Sequence, residues 1–322
     1  MKPLNTLRVT HLTLALCLAG TAFAGPIATI PVGDLPHFVA VNQTTNRVYV
    51  SNLTGDSVSV IDGASDTVIA TVSVGSLPEV VDVNPVTNMV YVANLLGNSV
   101  SVIDGSTNAV VATITGLSGP YGLAVNSITN QIFVSDGANS VAVINGATNT
   151  ITTTVPVGSY PYGVRVNSTA NTVYVANGIS GTISVIDGSS DKVTSTFTLP
   201  QGALPVIIAF DPITNRLFVT DDGNEVVDVL DASAGTLLKT ITGGKVPFAY
   251  PAYVAMFQPG KTVLISDDSI SAVTEFNEST YAATGGLTGG SVPIGIAVNR
   301  TTGKIYVAEN GNGTVNVYTQ PK

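Results

Sequence analysis

The 322-residue sequence is poor in cysteine, charge and long apolar runs, and each shortage removes a class of protein. Its one cysteine, Cys17, lies in the first 24 residues, so the rest of the chain has no thiol for a disulfide framework or a thiolate metal site. Only 10% of residues are charged. No apolar run beyond the first 24 residues approaches the ~20 residues needed to cross a bilayer as a helix. Histidine is nearly absent too: beyond the N-terminal segment only His37 remains, which excludes a copper, zinc or haem site built from several imidazoles.

What is present points to ordered β structure. The chain is 44% hydrophobic with 32 Gly and 17 Pro, enough apolar material for a large core and enough turn residues to reverse direction often. Val, Ile, Thr and Tyr alternate with Ser, Thr and Asn in short runs, the period-2 pattern of strands. At the N-terminus, Lys2 and Arg8 precede an apolar stretch from Leu12 to Leu18 and the small-residue sequence Ala22-Phe23-Ala24, which reads as a cleavable secretory signal over 1–24. Leu16 stands before Cys17 where a lipoprotein signal needs a small residue. The expected destination is the periplasm or the exterior, for a monomer with no membrane span. Without Lys2 and Arg8, ten basic residues face 21 acidic ones, a formal charge of −11 that disfavours nucleic acid.

A proline recurs at Pro36, Pro78, Pro120, Pro161, Pro205, Pro251 and Pro293, with spacings of 42, 42, 41, 44, 46 and 42 residues. A period of ~40–50 residues made of short strands is the signature of a β-propeller. Each repeat resolves into four strands; in the first they are FVAV, RVYVS, SVSVID and VIATVSV, from the channel outward. Turns such as NQTTN and DPITN place Asn, Asp and Thr where side chains can bond the turning backbone. The seventh repeat ends after three strands, while PIATIPVGDL near the N-terminus matches the missing fourth. The expected fold is therefore all-β: one seven-bladed propeller over 25–322, with four-stranded antiparallel blades and the last closed by the N-terminal strand.

The segments NRVYVSN, NMVYVAN, NTVYVAN and GKIYVAE, each followed by an SVSVID-like strand, resemble the YVTN β-propeller repeat family (YncE-like) over essentially the whole chain beyond residue 24. The resemblance implies a secreted or periplasmic seven-bladed ring. Its superfamily includes surface-layer proteins, nucleic-acid binders, lactonases and streptogramin lyases, so the fold does not choose a function.

Candidate functional residues are those where the repeats disagree. The residues after the prolines are His37, Glu79, Tyr121, Tyr162, Val206, Ala252 and Ile294, four of them polar or aromatic. The fourth residue after each proline should face the channel and is alanine in five repeats, but Asp82 in the second and Arg165 in the fourth. Asp82 and Arg165 either pair with each other or with channel water, or anchor a ligand in a funnel shared with His37, Glu79, Tyr121, Tyr162 and Tyr253. In an enzyme reading, His37 or Glu79 serves as general base and Arg165 stabilises a developing oxyanion. Asp221, Asp222, Asp267 and Asp268 lie in loops at the post-proline mouth and are candidate Ca²⁺ ligands without EF-hand spacing; no other cofactor is expected. The connection from Thr242 to Pro251 departs most from the repeat length, and PGKT (259–262) lacks the earlier glycine of a phosphate loop.

The sequence thus favours a non-catalytic propeller binding a protein partner or small ligand at the channel mouth. The alternatives are a lyase- or lactonase-like enzyme with its site in the funnel, and single-stranded nucleic-acid binding, as in some relatives.

Overall fold

The computed structural model describes residues 22–243, 248–257, 261–269 and 271–319. These form seven sheets around a central channel: blades 1 (36–73), 2 (78–115), 3 (123–156), 4 (161–198), 5 (205–241), 6 (251–287) and 7 (293–319). Within a blade the strands run antiparallel in chain order, and the innermost strands pack in succession around the ring until Pro293–Asn299 meets Pro36–Asn42. No helix occurs among the described residues.

Closure follows the sequence expectation. Ala28–Pro31 pairs antiparallel with Thr314–Thr319, in the register Ala28 with Val317, Ile30 with Val315 and Pro31 with Thr314, and supplies blade 7 with its outer strand. Three residues assigned to the leader also pair: Ala22–Ala24 lies parallel to Ala283–Leu287 as a fifth strand on blade 6. The Phe23 ring fits there because Gly286 opposite it has no side chain; a Cβ at Gly286 would fall 2.7 Å from the ring. The rest of the expected leader, including Cys17, lies outside the described residues.

The burial pattern shows what each strand position does. Second strands such as Met89–Asn94 are buried at five of six positions, because both faces press against neighbouring blades. Outer strands such as Thr67–Ser73 alternate between solvent and sheet. The tyrosine of the YV pair is a blade-to-blade knob: Tyr49 and Tyr91 are fully buried, and Tyr49's hydroxyl sits beneath Gly105 of the next blade, where a Cβ would come within 2.7 Å. Tyr174 makes the corresponding contact by donating to the carbonyl of Ala232 at 3.2 Å.

The recurring asparagines bind the ring at the end where the inner strand turns back. Asn42, Asn84, Asn126 and Asn299 each accept a backbone N–H from their own turn at 3.0 Å. Each also donates its amide to the last turn residue of the next blade: to Asn88, Asn130, Asn171 and Asn46, at 2.6–2.8 Å. Those acceptors hold φ between 50° and 58°, a left-handed conformation that asparagine tolerates better than most residues. Each such bond contributes about 0.5–1.5 kcal/mol.

Blades 5 and 6 are joined differently. Asp211 replaces the donor asparagine and hydrogen-bonds Glu278. Glu278 stands where blade 1 has Gly63, since the N–H of each donates to the carbonyl of the last turn residue, Lys261 or Asn46. A side chain at Gly63 would strike Asn46 at 2.5 Å; with Lys261 in place of asparagine, blade 6 has room for Glu278. Two carboxyl groups then share what two amides do elsewhere, which requires a proton between them. Burial first, then the Asp211 contact, raises Glu278 to about 7, with Arg216 opposing. Burial also works against Asp211 ionising, but hydrogen bonds from Glu278, Thr214 and Ile213 outweigh it and hold Asp211 low.

Candidate ligand site in the central channel

Six of the seven innermost strands bring the fourth residue after proline to the channel cavity; in blade 3 Leu123 borders it and Ala124 packs into the core. Ala40, Asp82, Ala124, Arg165, Ala209, Ala255 and Ala297 stand opposite Tyr49, Tyr91, Phe133, Tyr174, Phe218, Leu264 and Tyr306 of the second strands. Large residues thus fill the blade while small ones border the axis. Four of the five alanines, Ala40, Ala209, Ala255 and Ala297, border a cavity of about 540 Å³, within the range of small-molecule pockets. Its lining extends to turn residues Gln43, Thr44, Pro85, Ser127 and Arg300 at one end and stops at Phe38, Val80, Ile207 and Tyr253 at the other. Phe38 and Tyr253 meet edge to face there, ring centroids 4.9 Å apart. They reach across blade 7 because Gly295 intervenes, where a Cβ would collide with the His37 carbonyl.

Asp82, Arg165 and Tyr253 line this cavity. Asp82 is fixed by the backbone: its carboxylate accepts from Val83 N–H at 2.8 Å and from Val125 N–H of the next blade at 2.9 Å. Desolvation raises its pKa, opposed by those two bonds and by the Arg165 charge. Asp82 and Arg165 nevertheless form no ion pair within 4 Å, so the pairing considered from sequence is one of field and not of contact. Tyr253 is also raised, by burial first, with Arg165 opposing and Asp82 adding. Arg165 is exposed to the cavity, and its side chain makes no hydrogen bond or ion pair among the described residues.

Arg300 is the cavity residue that sequence reasoning missed. It sits in the inner turn of blade 7, where blades 1, 2 and 3 have Gln43, Pro85 and Ser127, and its backbone N–H is held by the Gln43 side chain at 3.0 Å. Desolvation and then the Arg165 charge lower its pKa, with Asp211 opposing, so the two guanidinium groups feel each other. The available signal was a lone arginine at a turn position otherwise filled by uncharged residues.

The other sequence candidates gather at the opposite end, outside the cavity lining. His37 Nδ1 lies 3.1 Å from Glu79 Oε2 across the seam between blades 1 and 2. Beneath them, Ser51 donates to the Glu79 carbonyl at 2.7 Å and accepts from Phe38 N–H at 3.0 Å. Tyr121 packs edge-on against Tyr162, centroids 5.2 Å apart. Burial first, then the Glu79 charge, raises the Tyr121 hydroxyl far beyond its ordinary range.

The loop carboxylates divide into two kinds. Asp221 accepts from Leu204 and Gly223 N–H at 2.8 and 3.0 Å, and Asp267 from Ala249 and Ser269 N–H, both at 2.9 Å. These acids tie down their own loops, as Asn52 does by donating to Ser57 and Ser59. Asp222 is raised to about 6, by desolvation first and then by Asp221 and Asp268; Asp268 is raised by desolvation and Asp267. No cluster of three or more His, Cys, Asp or Glu suited to a metal occurs among the described residues.

In the long connection from 242 to 251, residues 244–247 lie outside the described residues; Phe248 is buried against Phe276 and Tyr250 is exposed. Pro259 and Gly260 of the PGKT stretch likewise lie outside.

Comparison with known proteins agrees with this architecture. No curated protein matches the sequence. The fold is similar to a chain titled Kuenenia stuttgartiensis Hydrazine Synthase, with a TM-score of 0.79 over 89% of this chain and 96% of that one; at 18% identity the likeness is one of fold alone. The family model of the YNCE-like beta-propeller matches residues 7–136, so the N-terminal part of this seven-bladed ring is similar to that family.

Proposed function

We infer that this protein is a non-catalytic binding propeller whose central channel, entered from the inner-turn end, holds a small ligand. One observation carries the reading: seven strands converge on a cavity of about 540 Å³, and the two that break the alanine pattern place ionisable groups, Asp82 and Arg165, into it. A rigid ring suits binding, because the groups that meet the ligand are positioned before it arrives. The separation of the chain's candidate base from this cavity supports binding over turnover: His37 faces Glu79 at the other end, apart from the Arg165 guanidinium. The leader-like N-terminus supports export, so the ligand would be met outside the cytoplasm.

A thermal-shift screen of chemically varied small molecules, run on the wild type and on Ala297→Phe, tests the reading. Ala297 borders the cavity, and a phenyl group there occupies it. Ligands that raise Tm in the wild type and lose their effect in the variant are expected. Ligands bound equally by both would place the site elsewhere, and conversion of a bound ligand to product would overturn the non-catalytic reading.

A further inference from the structure

The two cavity arginines are unlike the other basic groups with assigned side-chain partners. Arg47 is paired with Asp62, Lys304 with Asp66 at 2.7 Å, and Arg216 donates to the Glu278 carbonyl at 3.4 Å while standing 5.7 Å from the centroid of the Tyr281 ring. Arg165 and Arg300 have neither ion pair nor side-chain hydrogen bond among the described residues, and both face one cavity. Two like charges so placed repel each other, and the ring bears that cost although five of its seven central positions are merely alanine.

Resting on the channel-binding reading, we propose that the channel is an anion site in which the guanidinium groups of Arg165 and Arg300 together hold the carboxylate or phosphate group of a small ligand. The order along the strands sets the pose. Arg300 stands in the turn at the entrance, Arg165 one level in, and Phe38, Val80, Ile207 and Tyr253 at the far end. An acid entering from the turn end therefore meets both forks with its charged head, while its body faces apolar side chains and the Tyr253 hydroxyl. Guanidinium forks match the two oxygens of a carboxylate or phosphate, which a lone ammonium does not. Asp82, already engaged by two backbone N–H groups, stands on the wall of blade 2. It repels an anion that strays from the arginines and accepts from a ligand hydroxyl, so hydroxylated acids fit better than plain ones.

Isothermal titration of the full chain with malonate, malate and inorganic phosphate, in parallel with neutral glycerol as control, tests this. The expected result is saturable binding of at least one anion, malate ahead of malonate, weakening as NaCl is raised. Malate or malonate alone binding identifies a carboxylate site; phosphate alone identifies a phosphate site. Arg165→Gln and Arg300→Gln should each weaken binding by ~10-fold or more, and the double variant should abolish it. Arg165→Lys, which keeps the charge and loses the fork, should fall between. Loss of Arg165 relieves its repulsion with Arg300 but removes its favourable field on Asp82, so a cooperative melt and an unchanged circular dichroism spectrum of Arg165→Gln establish that loss of binding is not unfolding.

The proposal is overturned if none of the three anions binds the wild type, or if Arg165→Gln binds them unchanged. Neutral ligands that bind the wild type and Arg165→Gln alike, yet are lost in Ala297→Phe, would keep the channel reading while refuting the anion site. Anion binding that survives Ala297→Phe would refute both.

Discussion

The two ends of the channel use similar residue types to opposite effect. At the post-proline end, polar and aromatic side chains are spent on one another: His37 on Glu79, Tyr121 on Tyr162, Asn52 on Ser57 and Ser59. At the inner-turn end the seams are bound by asparagine pairs lying beside the cavity, and of the charged groups lining the cavity Asp82 is held by two backbone N–H groups while Arg165 and Arg300 have no such partners among the described residues. The difference teaches that departure from a repeat marks a position without saying what it serves. A polar side chain at a blade edge can be absorbed by the next blade, and Asp82 is held so even on the axis by Val125 N–H, whereas the two guanidinium groups find no such partner among the described residues.

Breaking the ring itself would have the largest effect, because both ends depend on closure. Deletion of residues 25–35 removes the outer strand of blade 7 and the pairs Ala28–Val317 to Pro31–Thr314. Tm should fall steeply and the single cooperative transition should broaden by calorimetry; unchanged melting would show that closure is dispensable. Next comes a seam at the turn end. Asn126→Ala deletes the bond to Asn171 and the acceptor for Ile128 N–H, and should cost about 1–3 kcal/mol in urea unfolding. A loss no greater than that of an exposed turn substitution would deny the asparagines their role.

A smaller effect is expected from pH. Glu278 and Glu309, raised to about 7 mainly by desolvation, bind their protons more tightly in the native state than in the unfolded chain. The stability they confer is fully present below the ordinary glutamate pKa and is lost as pH rises through about 7. Asp211, held low, works in the opposite sense and costs stability only under more acidic conditions. Tm should therefore decline between about pH 5 and pH 7.5, and Glu278→Gln should flatten the decline; a Tm rising over this window would contradict the shared proton at the blade 5–6 seam. Smallest of all is the effect of the post-proline end on the cavity: His37→Ala should leave anion binding in the channel within about twofold.

Much of the fold was legible because it is written seven times. The proline period, the four-strand division and the match between PIATIPVGDL and the outer strands lead to the observed ring and its closure. The site was legible only in part. Asp82 and Arg165 stand out because alanine fills their position in the other repeats, and Tyr253 is among the residues expected to share their funnel. Arg300 does not stand out, because inner-turn residues vary freely and nothing local says which turns lean over the axis. The Asp211–Glu278 contact was equally hidden: each residue is a modest departure in its own repeat, and only the packing of blade 5 on blade 6 makes them one feature. Which end of the channel is lined by turns and which by Phe38 and Tyr253 depends on side-chain reach across blades, information that strand periodicity does not contain.

The central claim, that the ligand-bearing end of the ring is the turn end with its two unpartnered guanidinium groups, is tested most directly by anomalous diffraction from crystals soaked in bromide. The account predicts an anomalous peak within the channel, in contact with Arg165 and Arg300. A channel empty of bromide, or a peak beside His37 with none between the arginines, would contradict it.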